Sequence, residues 1–302
     1  MSEARPLVSI IIPTYKNRGN LKRAIDSALN QTYSPIEVIV VDDNNPTDQW
    51  RKTTAAEMDF YKNDKRVIYI KHRHNKNGAA ARNTGIKESR GAYIAFLDDD
   101  DYFKSEKIEI QVKYLQLHPE YQAAYSQCER EGIIVAKNLP SGNLGKEILL
   151  LKTKLFTPSL IFKANAIKQI NGFDESFNRH QDYELMLRFF NEGFNIGAIQ
   201  KPLTVIGTNG GENIPNARAM EDLKAKFLNK FDAYITENSS NDKFYRNKVY
   251  ARNYSGVCLS YIKNGYFLDA LRVMVKYAWR SPYYFFCPLI ETLKYHLTKK
   301  NN

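Results

Sequence analysis

The sequence is poor in features that mark secreted, zinc-stabilised or membrane-spanning proteins. It has three cysteines in 302 residues, Cys128, Cys258 and Cys287, and their wide spacing fits neither a disulfide framework nor a zinc site. The first six residues include no long apolar leader, and the apolar run at 281–290 is far shorter than the ~20 residues that span a bilayer. We therefore expect a reduced, cytoplasmic protein with no segment that crosses a membrane.

Two catalytic signatures are also missing. Thr14, Tyr15, Lys16 and Asn17 follow the first predicted strand, where a dinucleotide-binding protein would carry a glycine-rich turn. No Ser–His or Cys–His pattern indicates a covalent nucleophile. A nicotinamide-dependent dehydrogenase and a serine or cysteine hydrolase are therefore poorly supported.

The composition favours an ordered globular chain with a basic end. Hydrophobic residues make up 43% and charged residues 25%, which is enough for one large core or for a main domain with an appendage. The net charge is +11, and from Arg218 onward fifteen basic residues face seven acidic ones. This asymmetry indicates a local anionic partner near the C-terminus, although ordinary solubility would also explain it.

The first hundred residues alternate between strand and helix patterns. Apolar runs typical of strands buried on both faces occupy residues 7–12, 36–41, 67–70 and 93–97. Helical patterns lie between them, at about 20–30, 47–62 and 79–89. This alternation predicts a parallel sheet with right-handed crossovers, whose ligands bind beyond the carboxyl ends of the strands. A mixed, loop-rich stretch follows residue 104, with strands near 123–126 and 159–162 and a helix from Asp182 to Gly193, and the chain after Arg218 is almost entirely helical.

Four successive aspartates, Asp98 to Asp101, follow the fourth predicted strand. Adjacent carboxylates repel one another unless a cation holds them, and carboxylate oxygens suit Mg²⁺ or Mn²⁺. Asp98 and Asp100 project to the same side of an extended chain and could share one metal with a substrate diphosphate. A solvated acidic turn is the alternative.

Two further motifs are informative: one ends the second predicted strand, and the other begins a predicted helix. Asp42 and Asp43 end the second strand, where a carboxylate could accept a hydrogen bond from a nucleobase or ribose, or could simply form a turn. Residues 77–83 predict a helix start, whose free N–H groups and Arg82 could contact phosphate. A plain small-residue helix start is the alternative.

Together these motifs resemble the family-2 glycosyltransferases, which have the GT-A fold and include enzymes that assemble bacterial O-antigen or capsular repeat units. The matching segments are residues 8–15, 40–43, 78–83, 96–101, 172–174 and 181–185, so the resemblance covers about Leu7 to Gly207. It implies an α/β GT-A domain over residues 1–210, with a nucleotide-binding half at about 1–103 and an acceptor half at about 104–210. Residues 211–302 form a helical C-terminal region that could associate with a membrane.

The resemblance also implies roles for single residues. Thr14 and Tyr15 would lie at the nucleotide, with Tyr15 against the base, Asp43 would bond the base, and Arg82 would lie near the diphosphate. Asp98 and Asp100 would hold Mn²⁺ or Mg²⁺, and Asp99 would lie near the ribose. Asp182 falls at the position of the general base, where many members have Glu-Asp and this chain has Gln181 and Asp182. From the residue pattern alone, Asp182 could instead be only a helix N-cap.

The resemblance implies inverting transfer of a hexose, glucose or galactose, from a UDP-sugar. The expected acceptor is a saccharide on a polyprenyl diphosphate, such as N-acetylhexosamine-diphospho-undecaprenol, in O-antigen, capsule or exopolysaccharide synthesis. A catalytically silent sugar- or nucleotide-binding domain of the same fold is the main alternative. No nucleic-acid-binding motif accompanies the basic charge, so nucleic acid is not an expected partner.

Aromatic and basic residues alternate through residues 254–297. The aromatics are Tyr261, Tyr266, Phe267, Tyr277, Trp279, Tyr283, Tyr284, Phe285 and Phe286, and the basic residues are Lys263, Arg272, Lys276 and Arg280. This pairing suits a helix at a lipid interface, and we expect a peripheral contact with the inner face of the cell membrane. The alternative is a helical bundle that packs the same aromatics on the catalytic domain, or a dimer interface.

Overall fold

The computed structural model describes residues 5–17, 19–207, 216–239, 242–288 and 290. The chain divides into two compact units. The first consists of residues 1–144 and 154–210, and the second consists of residues 145–153 and 211–302. Residues 145–153, which the sequence suggested as part of the first domain, thus group with the C-terminal helices. The division of the first domain into a nucleotide half and an acceptor half stays a prediction.

The first unit begins with four parallel strands in the order β3-β2-β1-β4. These strands are β1 (Val8–Thr14), β2 (Ile36–Asp42), β3 (Val67–Lys71) and β4 (Tyr93–Phe96). The connecting helices are α1 (Leu21–Leu29), α2 (Gln49–Met58) and α3 (Gly78–Glu88). The alternation of strands and helices predicted from the sequence is confirmed.

The sheet continues with shorter strands of mixed direction. They are β5 (Tyr102–Phe103), β6 (Ala123–Arg130), β7 (Ile133–Ile134), β8 (Leu160–Lys163) and β9 (Ile196–Val205), and the helices between them are α4 (Lys107–Leu117), α6 (Ala164–Gln169) and α7 (Gln181–Asn191). β8 runs antiparallel to β4, and β6 pairs parallel with β9. β9 was not anticipated from the sequence.

The parallel strands β1 and β2 consist mainly of buried β-branched residues. Every residue of β2 is buried, and β1 is buried except at Pro13, as expected for strands covered on both faces. α3 approaches β1 closely at Gly85, where a Cβ atom would lie 2.4 Å from Cγ2 of Ile11. This close packing fixes α3, and with it the start of the helix, at the carboxyl edge of the sheet.

The second unit is helical. Its helices are α5 (Gly145–Leu149), α8 (Ala217–Lys230), α9 (Asp232–Glu237), α10 (Tyr245–Lys263) and α11 (Phe267–Tyr277), and residues 282–288 are also helical. The buried amide of Asn253 joins three of them: its Nδ2 donates to the Leu149 carbonyl at 2.8 Å, and its Oδ1 accepts from Lys224 at 3.1 Å.

The aromatic residues of this unit divide between core and surface. Tyr261 and Phe285 are buried, so these two rings belong to the core. Phe267, Trp279 and Tyr283 are exposed. Among the described residues, no helix is both long enough and apolar enough to span a membrane.

Candidate functional site

The polar ends of β1, β2 and β4 meet at one edge of the sheet. The Thr14 hydroxyl donates to Asp99 Oδ2 at 2.6 Å, and the Asp43 amide donates to the Thr14 carbonyl at 2.9 Å. Thr14 therefore connects the aspartates at the end of β2 with those that follow β4. The first group begins 28 residues after Thr14 in the chain, and the second begins 84 residues after it. This is the edge where parallel sheets bind ligands.

Asp43 is buried and accepts four hydrogen bonds from one loop. Its Oδ1 accepts from the Lys76 amide at 2.9 Å and lies 2.7 Å from His72 Nδ1. Its Oδ2 accepts from the Asn75 side chain at 2.8 Å and from the Asn77 amide at 3.0 Å. The carboxylate therefore holds the loop that leads into α3, and its contact with a nucleobase stays a prediction.

His72 extends this network towards α3. Its Nε2 lies 2.8 Å from the Thr84 hydroxyl, while Nδ1 faces Asp43. A proton on Nδ1 satisfies both contacts, since Nε2 can then accept from Thr84. The imidazole thus connects the end of β2 to the second turn of α3.

The helix start predicted at residues 77–83 is present. Asn77 is the N-cap of α3, and its side chain accepts from the Ala80 amide at 3.0 Å. Asn77 has a positive φ of 141°, which directs the chain from the loop into the helix. α3 therefore begins where the sequence indicated, and Arg82 lies just beyond its first turn.

Arg82 connects the aspartate cluster to α7. Its Nη2 donates to Asp98 Oδ1 at 2.5 Å, and its Nη1 donates to Gln181 Oε1 at 2.9 Å. The guanidinium also lies over the ring of Phe173, 5.5 Å from the centroid. Arg82 thus pairs with one candidate metal ligand and contacts the residue just before the candidate base.

The segment before α7 is bound to α3 by Asn83. Its Oδ1 accepts from the Phe173 amide at 2.8 Å, and its Nδ2 donates to the Phe173 carbonyl at 2.9 Å. Gly172 has a φ of 62°, and a Cβ atom there would lie 2.4 Å from Asn83 Oδ1. The glycine is therefore needed both for the left-handed conformation and for the close approach of Asn83.

Asp182 occupies the second position of α7, and His180, in a left-handed conformation, is the N-cap. The Asp182 carboxylate accepts from the Tyr183 amide at 2.9 Å, so it satisfies one free N–H group of the helix start. Burial raises the pKa of Asp182 to about 6, Asp98 adds to the rise, and Arg82 and the Tyr183 amide oppose it. The group is therefore a carboxyl whose pKa lies near neutrality, as a general base requires.

Three of the four clustered aspartates have raised pKa values. Burial and the neighbouring carboxylates raise the pKa of Asp99 to about 7 and that of Asp101 to about 8. The pKa of Asp100 is also raised, by burial and by Asp98. The Asp101 carboxylate accepts from the Gly207 amide at 2.7 Å, and Arg23 donates to the Asp100 carbonyl at 2.7 Å.

The aspartate cluster offers carboxylate oxygens, the type of ligand that divalent ions such as Mg²⁺ and Mn²⁺ prefer. Asp98 and Asp100 offer two carboxylates within a cluster whose mutual repulsion a cation would relieve. In the described part of the chain, no group of three or more His, Cys, Asp or Glu side chains is arranged to hold a metal. Two carboxylates suit Mg²⁺ or Mn²⁺ only when phosphate oxygens or waters supply the rest of the shell.

Tyr15 lies directly beyond β1 and is 43% exposed, with the Lys16 ammonium 5.1 Å from its ring centroid. An exposed ring at this edge is free to stack on a planar ligand. Its contact with a nucleobase stays a prediction.

Sequence reasoning missed several residues that shape this edge. They are His72 and Asn75, which bind Asp43, Gln181, which binds Arg82, and Arg23 and Gly207, which fix the aspartate turn. Gln181 was noted only as a departure from the family pattern, and its contact with Arg82 spans 99 residues. No local pattern marks such a contact.

Comparisons with known proteins agree with this architecture. The sequence model described as "Glycosyl transferase family 2" matches residues 9–199. An uncharacterized glycosyltransferase of Rickettsia conorii is 30% identical over 284 residues, which are 88% of this chain and 45% of that protein. The chain spans between about a third and a half of the first three relatives, all from Rickettsia.

One relative has a specific activity in its name. WfaP of Escherichia coli, a UDP-Glc:alpha-D-GlcNAc-diphosphoundecaprenol beta-1,3-glucosyltransferase, is 32% identical over 191 residues, 62% of this chain and 71% of that protein. Among solved structures, Staphylococcus aureus TarS in complex with UDP-GlcNAc aligns with a TM-score of 0.59 at 16% identity, covering 91% of this chain and 92% of that one. This likeness supports the expected fold, which is thereby confirmed.

Proposed function

The chain belongs to glycosyl transferase family 2, and we propose that it transfers a hexose from a UDP-sugar to a lipid-linked saccharide with inversion. One observation carries the proposal. Arg82 lies between Asp98 and Gln181, so the predicted diphosphate side and the predicted base side of the site are joined by one guanidinium. Nucleotide cleavage and acceptor activation can therefore take place in one space.

Asp182 acts as the general base in this proposal. In the ionised form its carboxylate removes the proton of the acceptor hydroxyl while the hydroxyl oxygen attacks the anomeric carbon. The new glycosidic bond forms as the bond to the diphosphate breaks on the opposite face, so an α-linked donor gives a β-linked product. One base is sufficient, because an in-line displacement has no covalent intermediate.

Arg82 stabilises the leaving group. The departing UDP gathers negative charge, and a guanidinium fixed beside Asp98 and over Phe173 can bind its phosphate oxygens. Asp98 and Asp100 would hold the Mn²⁺ or Mg²⁺ ion. When bound, such an ion supplies positive charge to the diphosphate. Thr14, Tyr15, Asp43 and Asp99 would form the nucleoside side of the site.

The names of the relatives support a class of donor and a class of acceptor. WfaP is named for UDP-glucose and for a GlcNAc-diphosphoundecaprenol acceptor, and TarS is solved with UDP-GlcNAc and with UDP. We infer a glucose or galactose donor and an N-acetylhexosamine-diphospho-undecaprenol acceptor for this chain, in the assembly of O-antigen, capsule or exopolysaccharide. Such an acceptor stays in the bilayer, so the enzyme would work in the cytoplasm at the inner face of the membrane.

A donor screen tests the proposal. UDP release is measured with UDP-glucose, UDP-galactose and UDP-N-acetylglucosamine, each with and without N-acetylhexosamine-diphosphate-lipid acceptors. We expect acceptor-dependent release with one hexose donor and a product whose anomeric proton NMR coupling shows a β linkage. An α linkage would refute inversion. Donor binding without turnover across all acceptors would instead favour the catalytically silent domain.

A further inference from the structure

The second unit presents an apolar row on the outer face of α11. Leu268, Leu271, Val275 and Trp279 are 84%, 55%, 64% and 69% exposed. Their spacing of three and four residues aligns them along one side of the helix, which Trp279 extends just beyond the last turn. Ala270 and Val273, on the opposite side, are buried. The helix thus has a buried face towards its own unit and a second apolar face towards the outside.

This second face is unusual for a helix at a protein surface. The outward side of such a helix normally carries charged or polar residues, and contiguous exposed apolar patches mark interaction sites. We call this row, Leu268, Leu271, Val275 and Trp279, the α11 face. Exposure of large apolar side chains to water is unfavourable, so we expect the α11 face to contact a partner that offers an apolar environment.

A row of cations lies beside the α11 face. Arg272, Lys276 and Arg280 follow at intervals of four residues, so they line one flank of the apolar row. Arg272 is paired with Glu221 at 2.7 Å. Lys276 and Arg280 form no ion pair with any residue that the structure describes, and both are exposed.

Lys276 and Arg280 also border a cavity of about 350 Å³ within the second unit. Its other lining residues include Arg246, Tyr250 and Tyr277. Arg246 is already paired with Asp232, so the unpaired positive charge at this cavity belongs to Lys276 and Arg280. Lys276 and Arg280 therefore offer two cations to a phosphate group.

We propose that the α11 face docks the protein on an anionic lipid membrane, with the apolar row in the headgroup–acyl boundary and with Lys276 and Arg280 on lipid phosphates. An interfacial helix needs this combination of an apolar face, an aromatic residue such as Trp279 and adjacent cations. A second copy of this chain would bring the same cations together, whereas an anionic surface complements them. The proposal deepens the proposed function, which needs a membrane-bound acceptor, but vesicle binding requires neither donor nor acceptor and can be tested separately.

Trp279 provides the reporter for the first experiment. The chain has two tryptophans, and Trp50→Phe leaves Trp279 as the single one. The 302-residue Trp50→Phe protein is titrated with phosphatidylglycerol vesicles and with phosphatidylcholine vesicles at low salt. We expect a blue shift of the emission and sedimentation with the anionic vesicles, both weakened by salt. An unchanged spectrum and a protein left in the supernatant with anionic vesicles at low salt would overturn the proposal.

Two double variants separate the two parts of the surface. Lys276→Gln with Arg280→Gln should weaken binding to anionic vesicles about 30-fold, since each surface cation contributes about 1 kcal/mol near an anionic leaflet. Leu271→Ser with Val275→Ser should weaken binding at least about tenfold. Lys243→Gln with Phe244→Ser changes a similar exposed pair on another part of the unit and is the matched control.

The variants alter exposed side chains, so their circular dichroism and thermal unfolding should match the parent protein. If all three double variants lose binding equally, the α11 face is not the docking surface and the proposal is wrong. Light scattering without vesicles measures the oligomeric state and tests whether the α11 face binds a second copy of the chain. A dimer that the Leu271→Ser and Val275→Ser variant converts to a monomer would assign the face to a second copy of the chain instead.

Discussion

The substitution Asp182→Asn separates the chemical role of this carboxyl from its structural role. The asparagine side chain has nearly the same size, and its Oδ1 can still accept the hydrogen bond from the Tyr183 amide. It cannot take a proton from an acceptor hydroxyl. If Asp182 is the base, turnover should therefore fall by about 10²–10⁴-fold while the Kd for UDP-sugar changes little.

The raised pKa of Asp182 adds a pH dependence. The base acts only when ionised, and with a pKa of about 6 roughly a tenth of the protein carries the ionised form at pH 5, against about nine tenths at pH 7. A carboxyl with the ordinary value of 3.8 would be almost fully ionised at pH 5. We expect kcat/KM to drop about tenfold between pH 7 and pH 5, and the residual rate of Asp182→Asn to lack this drop.

The raised pKa of Asp182 also predicts that stability falls as the pH rises, whereas activity increases. The folded protein holds the Asp182 proton more tightly than the unfolded chain does, so this group lowers stability as the pH rises from about 4 to about 6 and the penalty persists above. A shift from 3.8 to about 6 corresponds to at most about 3 kcal/mol. Asp182→Asn removes the penalty, so thermal unfolding at pH 7 should occur at an equal or higher temperature than in the parent protein.

Steady-state kinetics, isothermal titration with UDP-sugar and calorimetry together decide the question. Asp222→Asn, a change of an exposed carboxyl on α8, is the matched control and should leave all three measurements unchanged. Near-normal turnover in Asp182→Asn would refute the reasoning and leave Asp182 as a helix-start residue only. A loss of turnover together with a large loss of stability would also refute it, because the effect would then be structural.

Two further predictions concern the diphosphate side of the site. Asp100→Asn should lower turnover by at least about a hundredfold, and EDTA should have a comparable effect on the parent protein, which added Mn²⁺ or Mg²⁺ reverses; undiminished transfer in EDTA would contradict the metal assignment. Arg82→Lys should raise the KM for the donor about tenfold, because the single nitrogen of a lysine cannot reproduce the fork in which Nη1 binds Gln181 and Nη2 binds Asp98. The control for that change is Arg66→Lys, because Arg66 forms an exposed ion pair with Asp64. An unchanged donor KM in Arg82→Lys would exclude Arg82 from the site.

The sequence alone determined the framework of the first unit. Runs of β-branched residues such as residues 38–41 can be stable only when both faces of a strand are covered, which already requires a parallel sheet with helices on either side. The acidic residues at the strand ends then predicted the edge of the sheet where the candidate site lies, since carboxyl ends of parallel strands share one edge. The start of α3 at Asn77 and Gly78 was equally readable, because N-cap chemistry is local.

Only the tertiary structure decided which groups meet and which are already satisfied. Four donors from the loop at residues 72–77 bind Asp43, and the contact of Arg82 with Gln181 joins parts of the chain 99 residues apart. Neither follows from spacing, because a side chain's partners depend on how distant segments pack.

The aromatic residues of the C-terminal helices show the same limit. Tyr261 and Trp279 are equally compatible with a helical pattern, but Tyr261 is buried and donates to Glu221, whereas Trp279 is exposed. Helical periodicity indicates which residues share a face. It cannot tell which face packs inward when both are apolar, as in α11, because that choice is made by the surfaces of the neighbouring helices.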